Sequence, residues 1–366
     1  MNNRKILFIL HLPPPVHGAA LIGGYIKDSI YLNAQIDAHY INLTTAKSLQ
    51  DIGKGGLKKL WHYICLLLHI IRHVFILQPE LVYITPNACG GAFYKDFIVV
   101  QLLKCLNQKV VLHYHNKGVK TRENRKLDNW LYTHFFKKVK IILLAESLYS
   151  DIHNYIERKD IYICHNGIPS DKERYNHRGI SKEFNFLFLS NILVNKGIFI
   201  FLDALCKLKK EGYKFTCDII GGETSEINKI TLQEEILKRG LSKNVQYHGA
   251  KYGYEKIEYL SSADCFVFPT LNECFPLVLL EAMKYELPCI STYEGAIPEI
   301  ISNGQTGWIV PKNSSKELAE KMAWMIDHPE EAREMGRKGR ERFLEKFTLE
   351  HFETNLQEIL QAALSD

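Results

Sequence analysis

Short, unbroken apolar runs separated by helix-length segments constrain this chain more than any other feature. Residues 5–10 (KILFIL) show no alternation of polar and apolar positions, so a strand formed there must be buried on both faces. Such strands belong to parallel sheets, whose crossovers need a helix between one strand and the next. The rhythm recurs, with further strands expected at 81–84, 109–114, 141–144 and 160–164 and helical segments between them. Asn166-Gly167-Ile168-Pro169 breaks it, and 170–183 is polar and turn-rich, so the domain boundary is placed there. A second series starts at 184–190 and continues at 215–220, 245–248, 265–269, 289–291 and 308–310. Helices fit at 196–211, 231–239, 253–262, 276–285 and 314–327, and the chain is charged and helical from about Pro329. The expected fold class is α/β: two doubly wound domains with a cleft between them, binding ligands at the carboxyl ends of their strands.

A length of 366 residues is comfortable for two domains, and 46% hydrophobic against 24% charged residues excludes a disordered chain. The nine cysteines form no C-x-x-C pair and no zinc-like spacing with histidine, so they read as reduced, mostly buried thiols of a cytoplasmic protein. Residues 1–5 are polar and the apolar run behind them is short and ends in prolines, so no secretory signal is expected. Residues 57–77 resemble a membrane span at first sight. Lys58, Lys59, His62, His69, Arg72 and His73 interrupt them, and a helix docked on a sheet is preferred to a membrane-surface helix.

The net charge of +5 hides an asymmetry. Residues 1–170 hold 21 Lys and Arg against 11 Asp and Glu, and 11 of the 15 histidines. The densest stretch runs from Lys117 to Lys140. It reads either as a solvated helix face or as a contact for an anionic acceptor or lipid surface, with peripheral attachment at the inner face of the plasma membrane. No nucleic-acid motif accompanies it, and nucleic acid is not expected as a partner.

The most informative segment is 269–283, PTLNECFPLVLLEAM. A strand ends at Pro269, a loop carries Glu273, and Pro276 stands where a helix begins. The amides of Leu277 and Val278 then face out of the helix start, where an anion is favoured. Glu281 lies just over one turn further on and suits a ribose diol, while Glu273 suits sugar hydroxyls. By pattern alone, a surface glutamate and a first-turn glutamate favoured by the helix dipole explain the pair equally well.

E-C-F-P-L-V-L-L-E-A-M, with its seven-residue spacing of glutamates, resembles the signature of glycosyltransferase family 4. The flanking segments agree and occur in family order. Glu294-Gly295-Ala296-Ile297-Pro298-Glu299 and Asn303-Gly304-Gln305-Thr306-Gly307 are similar to its GGIPE and DGxTG stretches. Residues 244–249 (NVQYHG), 261–269 (SSADCFVFP) and 164–169 (CHNGIP) are similar to its base-binding strand end, the strand before the glutamates and the interdomain segment. The resemblance covers most of the chain and is more specific in the C-terminal half. It implies the GT-B fold: Rossmann-like domains at 1–170 (acceptor side) and 171–345 (nucleotide-sugar side), with a helix at 346–366 crossing back to the first. It further implies that Glu281 binds the donor ribose, Glu273 contacts donor sugar hydroxyls, Lys196 neutralises the diphosphate, and Tyr247 and His248 flank the base, mostly through backbone groups. Phe275, Pro276, Leu277 and Val278 complete the donor loop. Gly18 would approach the donor or acceptor, and His115 would lie near the reacting sugar as a catalytic residue with Glu273 and Lys196.

Charge grows on the diphosphate as the glycosidic bond breaks, and fixed cations with helix-start amides stabilise it. No Asp-x-Asp occurs, so neither metal nor cofactor is expected. Two departures stand out. Asn191 occupies the place of the family's arginine, removing one charge-assisted contact worth roughly 1.5–3 kcal/mol, and Pro276 replaces a common glycine. His113 and His115 face the same way in an extended segment, without a third metal ligand in view; a structural role for His115 stays open. Glu146-Ser147 is placed on the acceptor side.

The function expected is transfer of a sugar, with retention, from a UDP-sugar (GDP-sugar second) to an acceptor hydroxyl of a growing surface polysaccharide or lipid-linked glycan. The alternatives are a sugar-nucleotide 2-epimerase acting without acceptor, and a non-catalytic nucleotide-sugar-binding subunit, motivated by Asn191.

Overall fold

The structure, a computed structural model, describes residues 4–14, 17–44, 57–170 and 183–365. The polar stretch expected to divide the chain therefore lies almost wholly outside the described residues. The chain forms two compact units, Met1–Gly167 with Leu349–Asp366, and Ile168–Thr348.

In the first unit, β1 (Lys5–Leu10), α1 (Gly18–Asp28), α2 (Ile30–Asn33), β2 (Asp37–Asn42), α3 (Leu57–Leu77), β3 (Leu81–Ile84), α4 (Gly90–Cys105), β4 (Val110–Tyr114), α5 (Lys126–Phe135), β5 (Lys140–Leu143) and β6 (Ile161–Ile163) follow one another. The six strands make one sheet in the order β2-β1-β3-β4-β5-β6, and every pair is parallel. β1, β3 and β4 are buried almost end to end, as their unbroken apolar sequence requires. β2 was not legible in the pattern, because its sequence DAHYIN sits half-buried at the edge of the sheet.

α3 falls at the residues expected for a helix. The helix is present, but only Ile70 and Val74 of its described side chains are buried, while Leu60, Trp61, Ile64, Leu68, Phe75 and Ile76 are exposed. Its apolar residues run round most of the helix circumference, more than its two buried positions take up.

The second unit runs β7 (Phe184–Leu189), α6 (Ile198–Lys210), β8 (Phe215–Ile220), α7 (Lys229–Lys238), β9 (Val245–Tyr247), α8 (Gly253–Ser262), β10 (Cys265–Phe268), α9 (Leu277–Lys284), β11 (Cys289–Thr292), α10 (Ile297–Ile300), β12 (Gly307–Val310), α11 (Ser315–Asp327) and α12 (Pro329–Lys346). Its parallel sheet has the order β12-β11-β10-β7-β8-β9, a doubly wound arrangement that reverses direction between β7 and β10. The last helix, α13 (Leu349–Ser365), belongs to the first unit. None of the nine cysteines forms a disulfide, and five of them are buried.

Candidate active site

In the second unit the expected donor residues gather at the carboxyl ends of β7 to β11. Strand β7 ends at Leu189, Asn191 follows, and a short 3-10 turn (Val194–Lys196) presents Lys196. Gly197 closes that turn at φ +80°, and a Cβ there would stand 1.9 Å from the Pro269 carbonyl oxygen. Only glycine lets this turn press on the end of β10. Leu271 N–H donates to the Asn195 carbonyl (2.8 Å), so the turn and the Glu273 loop are tied together.

Lys196 Nζ pairs with Glu273 Oε1, both side chains being mostly buried. The Glu273 amide donates to Glu294 Oε1 (3.3 Å), and Glu294 Oε2 takes Lys312 Nζ (2.6 Å). Gly295, at φ +52°, seats this second loop directly on the first: a Cβ would lie 2.4 Å from the Glu273 carbonyl oxygen. Helix α9 starts behind Pro276 without any side-chain cap, leaving the first-turn amides of Leu277 and Val278 uncapped by side chains. Glu281 is mostly buried on that helix, and its Oε1 accepts from Lys256 Nζ of α8 (2.7 Å). Phe275 is buried, its ring packing 6.1 Å from that of Phe347, so its side chain serves the core.

At the far strands, Tyr247 OH donates to the Gly221 carbonyl (2.9 Å), and His248 Nε2 meets Asp218 Oδ1 (2.7 Å). The His248 amide donates to the Ile219 carbonyl and is thus part of the sheet ladder. Asn191 Oδ1 accepts from Gly222 N–H (3.3 Å), which fixes the side chain that stands in place of an arginine.

The first unit forms its own cluster at the ends of β1, β3 and β4. His17 caps α1, its Nδ1 accepting from Ala20 N–H (3.3 Å), and Gly18 is the first residue of that helix. His11 meets Asn87 Nδ2 through Nε2 (3.3 Å), and its ring lies 5.9 Å from that of His17. The rings of His113 and His115 lie 4.3 Å apart on the same side of the chain. His113 is buried and bonded to Tyr83 OH. His115 buries both ring nitrogens without a hydrogen-bond partner among the described residues, although the residue as a whole is only partly buried. Burial first, then the charge of His17, pulls the His115 pKa down to about 3. His11 is likewise pulled to about 3 by burial, with Lys95, His17 and His115 adding to it. Both rings are therefore neutral at physiological pH and can each donate one hydrogen bond and accept another. Glu146 is held by Arg158 (2.7 Å).

Among the described residues no group of three or more His, Cys, Asp or Glu side chains is placed to hold a metal ion. A cavity of about 230 Å³ lies at the opposite, amino ends of β3 to β6, lined by Lys109, Lys138, Lys140 and Asp160. That is the wrong end of the sheet for the ligand of a doubly wound fold. His11, Asn87, Lys256 and Lys312 were not singled out from sequence.

Comparison with known proteins bears on this geometry. Residues 169–342 match the family of group 1 glycosyl transferases. The colanic acid biosynthesis glycosyltransferase WcaL (putative) of Salmonella typhimurium is 25% identical over 71% of this chain. The D-rhamnosyltransferase WbpZ of Pseudomonas aeruginosa is 29% identical over 68%. The chain spans 66% of the length of each. Among solved structures, a glycosyltransferase of Rickettsia africae superposes with a TM-score of 0.77 at 18% identity, covering all of both chains. HepE of Anabaena, in complex with UDP, superposes with a TM-score of 0.75 at 15% identity, covering 98% of this chain and all of the other. With the two parallel sheets described above, these likenesses give the chain the GT-B fold, and its second unit matches the group 1 glycosyl transferases.

Proposed function

We propose that the chain transfers a sugar, with retention, from a nucleotide diphosphate sugar to an acceptor hydroxyl, UDP being the favoured nucleotide and GDP the second. The acceptor is a growing bacterial surface polysaccharide or lipid-linked glycan, reached from the cytoplasm with peripheral contact to the anionic membrane face. The observation that carries this reading is the pairing of both glutamates of the 269–283 segment with lysines from other elements, beside an uncapped helix start.

The chemistry follows from that arrangement. Lys196 has three N–H donors, so it can hold Glu273 and still donate to a diphosphate oxygen. The amides of Leu277 and Val278 add dipoles aimed at the same charge. With Lys256 on its Oε1, Glu281 is oriented to accept ribose hydroxyls at its other oxygen. Glu273 does the same for the sugar, which fixes the anomeric carbon against the leaving phosphate. Tyr247 and His248 flank the base. In the first unit, Gly18 and neutral His115 are assigned to the donor phosphate or acceptor side, where His115 can bond a sugar hydroxyl in either sense. Names of relatives agree with the substrate class: WcaL is named for colanic acid biosynthesis, WbpZ for rhamnosyl transfer, and HepE was solved with UDP.

Calorimetry with UDP, GDP, ADP and their common sugars, without added metal, tests the reading alongside Glu281→Ala. Tight binding of one nucleotide that the variant weakens is expected. Absence of binding by all of them overturns it. Asn191 favours one rival, a subunit that binds the donor without turnover; product formation with a supplied acceptor decides between the two.

A further inference from the structure

The helix layer α3, α4 and α5 carries an exposed surface that none of the roles above uses. In the order β2-β1-β3-β4-β5, the three crossovers all step the same way. Right-handed crossovers of one direction lay their helices on one face of the sheet. Side chains join the layer: Tyr63 OH donates to the Lys95 carbonyl (2.6 Å), and Tyr94 OH to Asp128 Oδ1 (2.6 Å). Trp61 (66% exposed), Leu68 (60%) and Phe75 (66%) on α3, Ile98 on α4, and Leu127 and Trp130 on α5 face solvent.

The charge on these helices has one sign. α3 contains no acidic residue, and the acids of α4 and α5, Asp96 and Asp128, are buried. Arg72 and Lys126 are exposed. A water-facing helix layer ordinarily mixes both signs and keeps large apolar side chains apart. Exposed indole and phenyl rings with cations and no carboxylates match instead the boundary of an anionic bilayer, where aromatic rings sit at headgroup level and lipid phosphates attract the cations.

α3 is long and apolar enough by composition to cross a bilayer. Yet the two strands it joins, β2 and β3, both pair with β1, so crossing would draw the polar edges of the sheet into hydrocarbon. Lying flat leaves the sheet intact and keeps Ile70 and Val74 packed. We propose that the α3–α4–α5 face docks on an anionic lipid bilayer, with Trp61, Leu68 and Phe75 seated in the interfacial region and Arg72 and Lys126 on lipid phosphates. This gives the membrane contact of the proposed function a location and rests on that reading only for its purpose. Lipid binding is measured without donor or acceptor, so the two fail separately.

The full chain is sedimented with phosphatidylcholine vesicles made with and without phosphatidylglycerol. Co-sedimentation with the anionic vesicles is expected, at least roughly tenfold stronger than with the neutral ones, together with a blue shift of tryptophan fluorescence. Trp61→Ser with Leu68→Gln is expected to weaken binding by roughly tenfold or more while the circular dichroism spectrum is unchanged. Leu237→Gln, at an exposed apolar site of the second unit, serves as the control that leaves binding intact. The proposal is overturned if the chain stays in the supernatant with anionic vesicles, or if the double variant sediments as the native chain does. It is also overturned if light scattering shows a dimer that the double variant dissociates, since a second copy then covers this face.

Discussion

Each glutamate of the 269–283 segment is held by a lysine that lies far from it in sequence, Lys196 for Glu273 and Lys256 for Glu281. A carboxylate held this way keeps one orientation before any ligand arrives, which reduces the ordering cost of binding. The weak point is Asn191, which accepts a single long bond from Gly222 N–H. Asn191→Arg forfeits that bond and adds a charge-assisted contact worth roughly 1.5–3 kcal/mol, for a net gain of about tenfold in affinity for the proposed diphosphate. Calorimetric titration of UDP into both forms checks this, and unchanged affinity would mean that Asn191 does not face the phosphates. In the first unit, the low pKa values of His11 and His115 couple folding to pH. The unfolded chain binds protons at these rings near the ordinary value of 6.5, whereas the folded chain binds them only near 3. Stability is therefore complete above 6.5 and falls as pH drops through that window, by up to about 1.4 kcal/mol per pH unit for each ring. Urea midpoints followed from neutral pH down to about 4 should show this fall, with a shallower slope in His115→Phe; equal slopes would show that the ring is hydrated and protonates freely.

Elements differ in how far the sequence betrays them. Strands of the sheet interiors announce themselves as apolar runs, since burial on both faces leaves no room for alternation; β8 and α8 fall at the residues expected from pattern. The edge strand β2 gives no such signal, because one of its sides is unpaired and its sequence is polar. α3 shows a different limit. Its periodicity fixes a helix, but which neighbours cover its apolar residues depends on the whole layer, and only Ile70 and Val74 of its described side chains end up buried. The site divides along the same line. The loop and helix start at 269–283 were legible because turn, cap and acid lie close together in sequence, whereas Lys256, Glu294 and Lys312 reach the same loops only through sheet topology. The contact between the Glu273 and Glu294 loops depends on Gly295. Gly295→Ala puts a methyl into the Glu273 carbonyl at a positive φ and should cost roughly 1–3 kcal/mol. Thermal unfolding and UDP titration of the variant measure it; a fully stable variant with native affinity would show that the two loops part without consequence.

At the scale of the whole molecule, the order of the chain and the order of its packing disagree. α13 follows the whole second unit along the chain, yet it belongs to the first unit. Gln35 and Gln357 bond to each other through their side-chain amides, Lys109 Nζ donates to the Leu364 carbonyl (3.2 Å), and Phe352, Leu356 and Leu360 are buried. Burying three such side chains contributes roughly 5–9 kcal/mol, of the same order as the entire net stability of a typical domain, about 5–15 kcal/mol. The first unit therefore lacks part of its core until the second has been synthesised. Truncation after Thr348 should remove the unfolding transition of the first unit. It should leave that of the second, along with nucleotide binding, because the proposed donor contacts other than Gly18 and His115 lie between 191 and 281. Phe352→Ala in the full chain is the milder form of the same test and should cost roughly 3–5 kcal/mol in the first unit alone. Scanning calorimetry with and without UDP separates the units, because ligand raises the midpoint only of the unit that binds it. If the truncated chain keeps both transitions, α13 is an accessory rather than part of the core. If it loses both, the two units fold as one cooperative body.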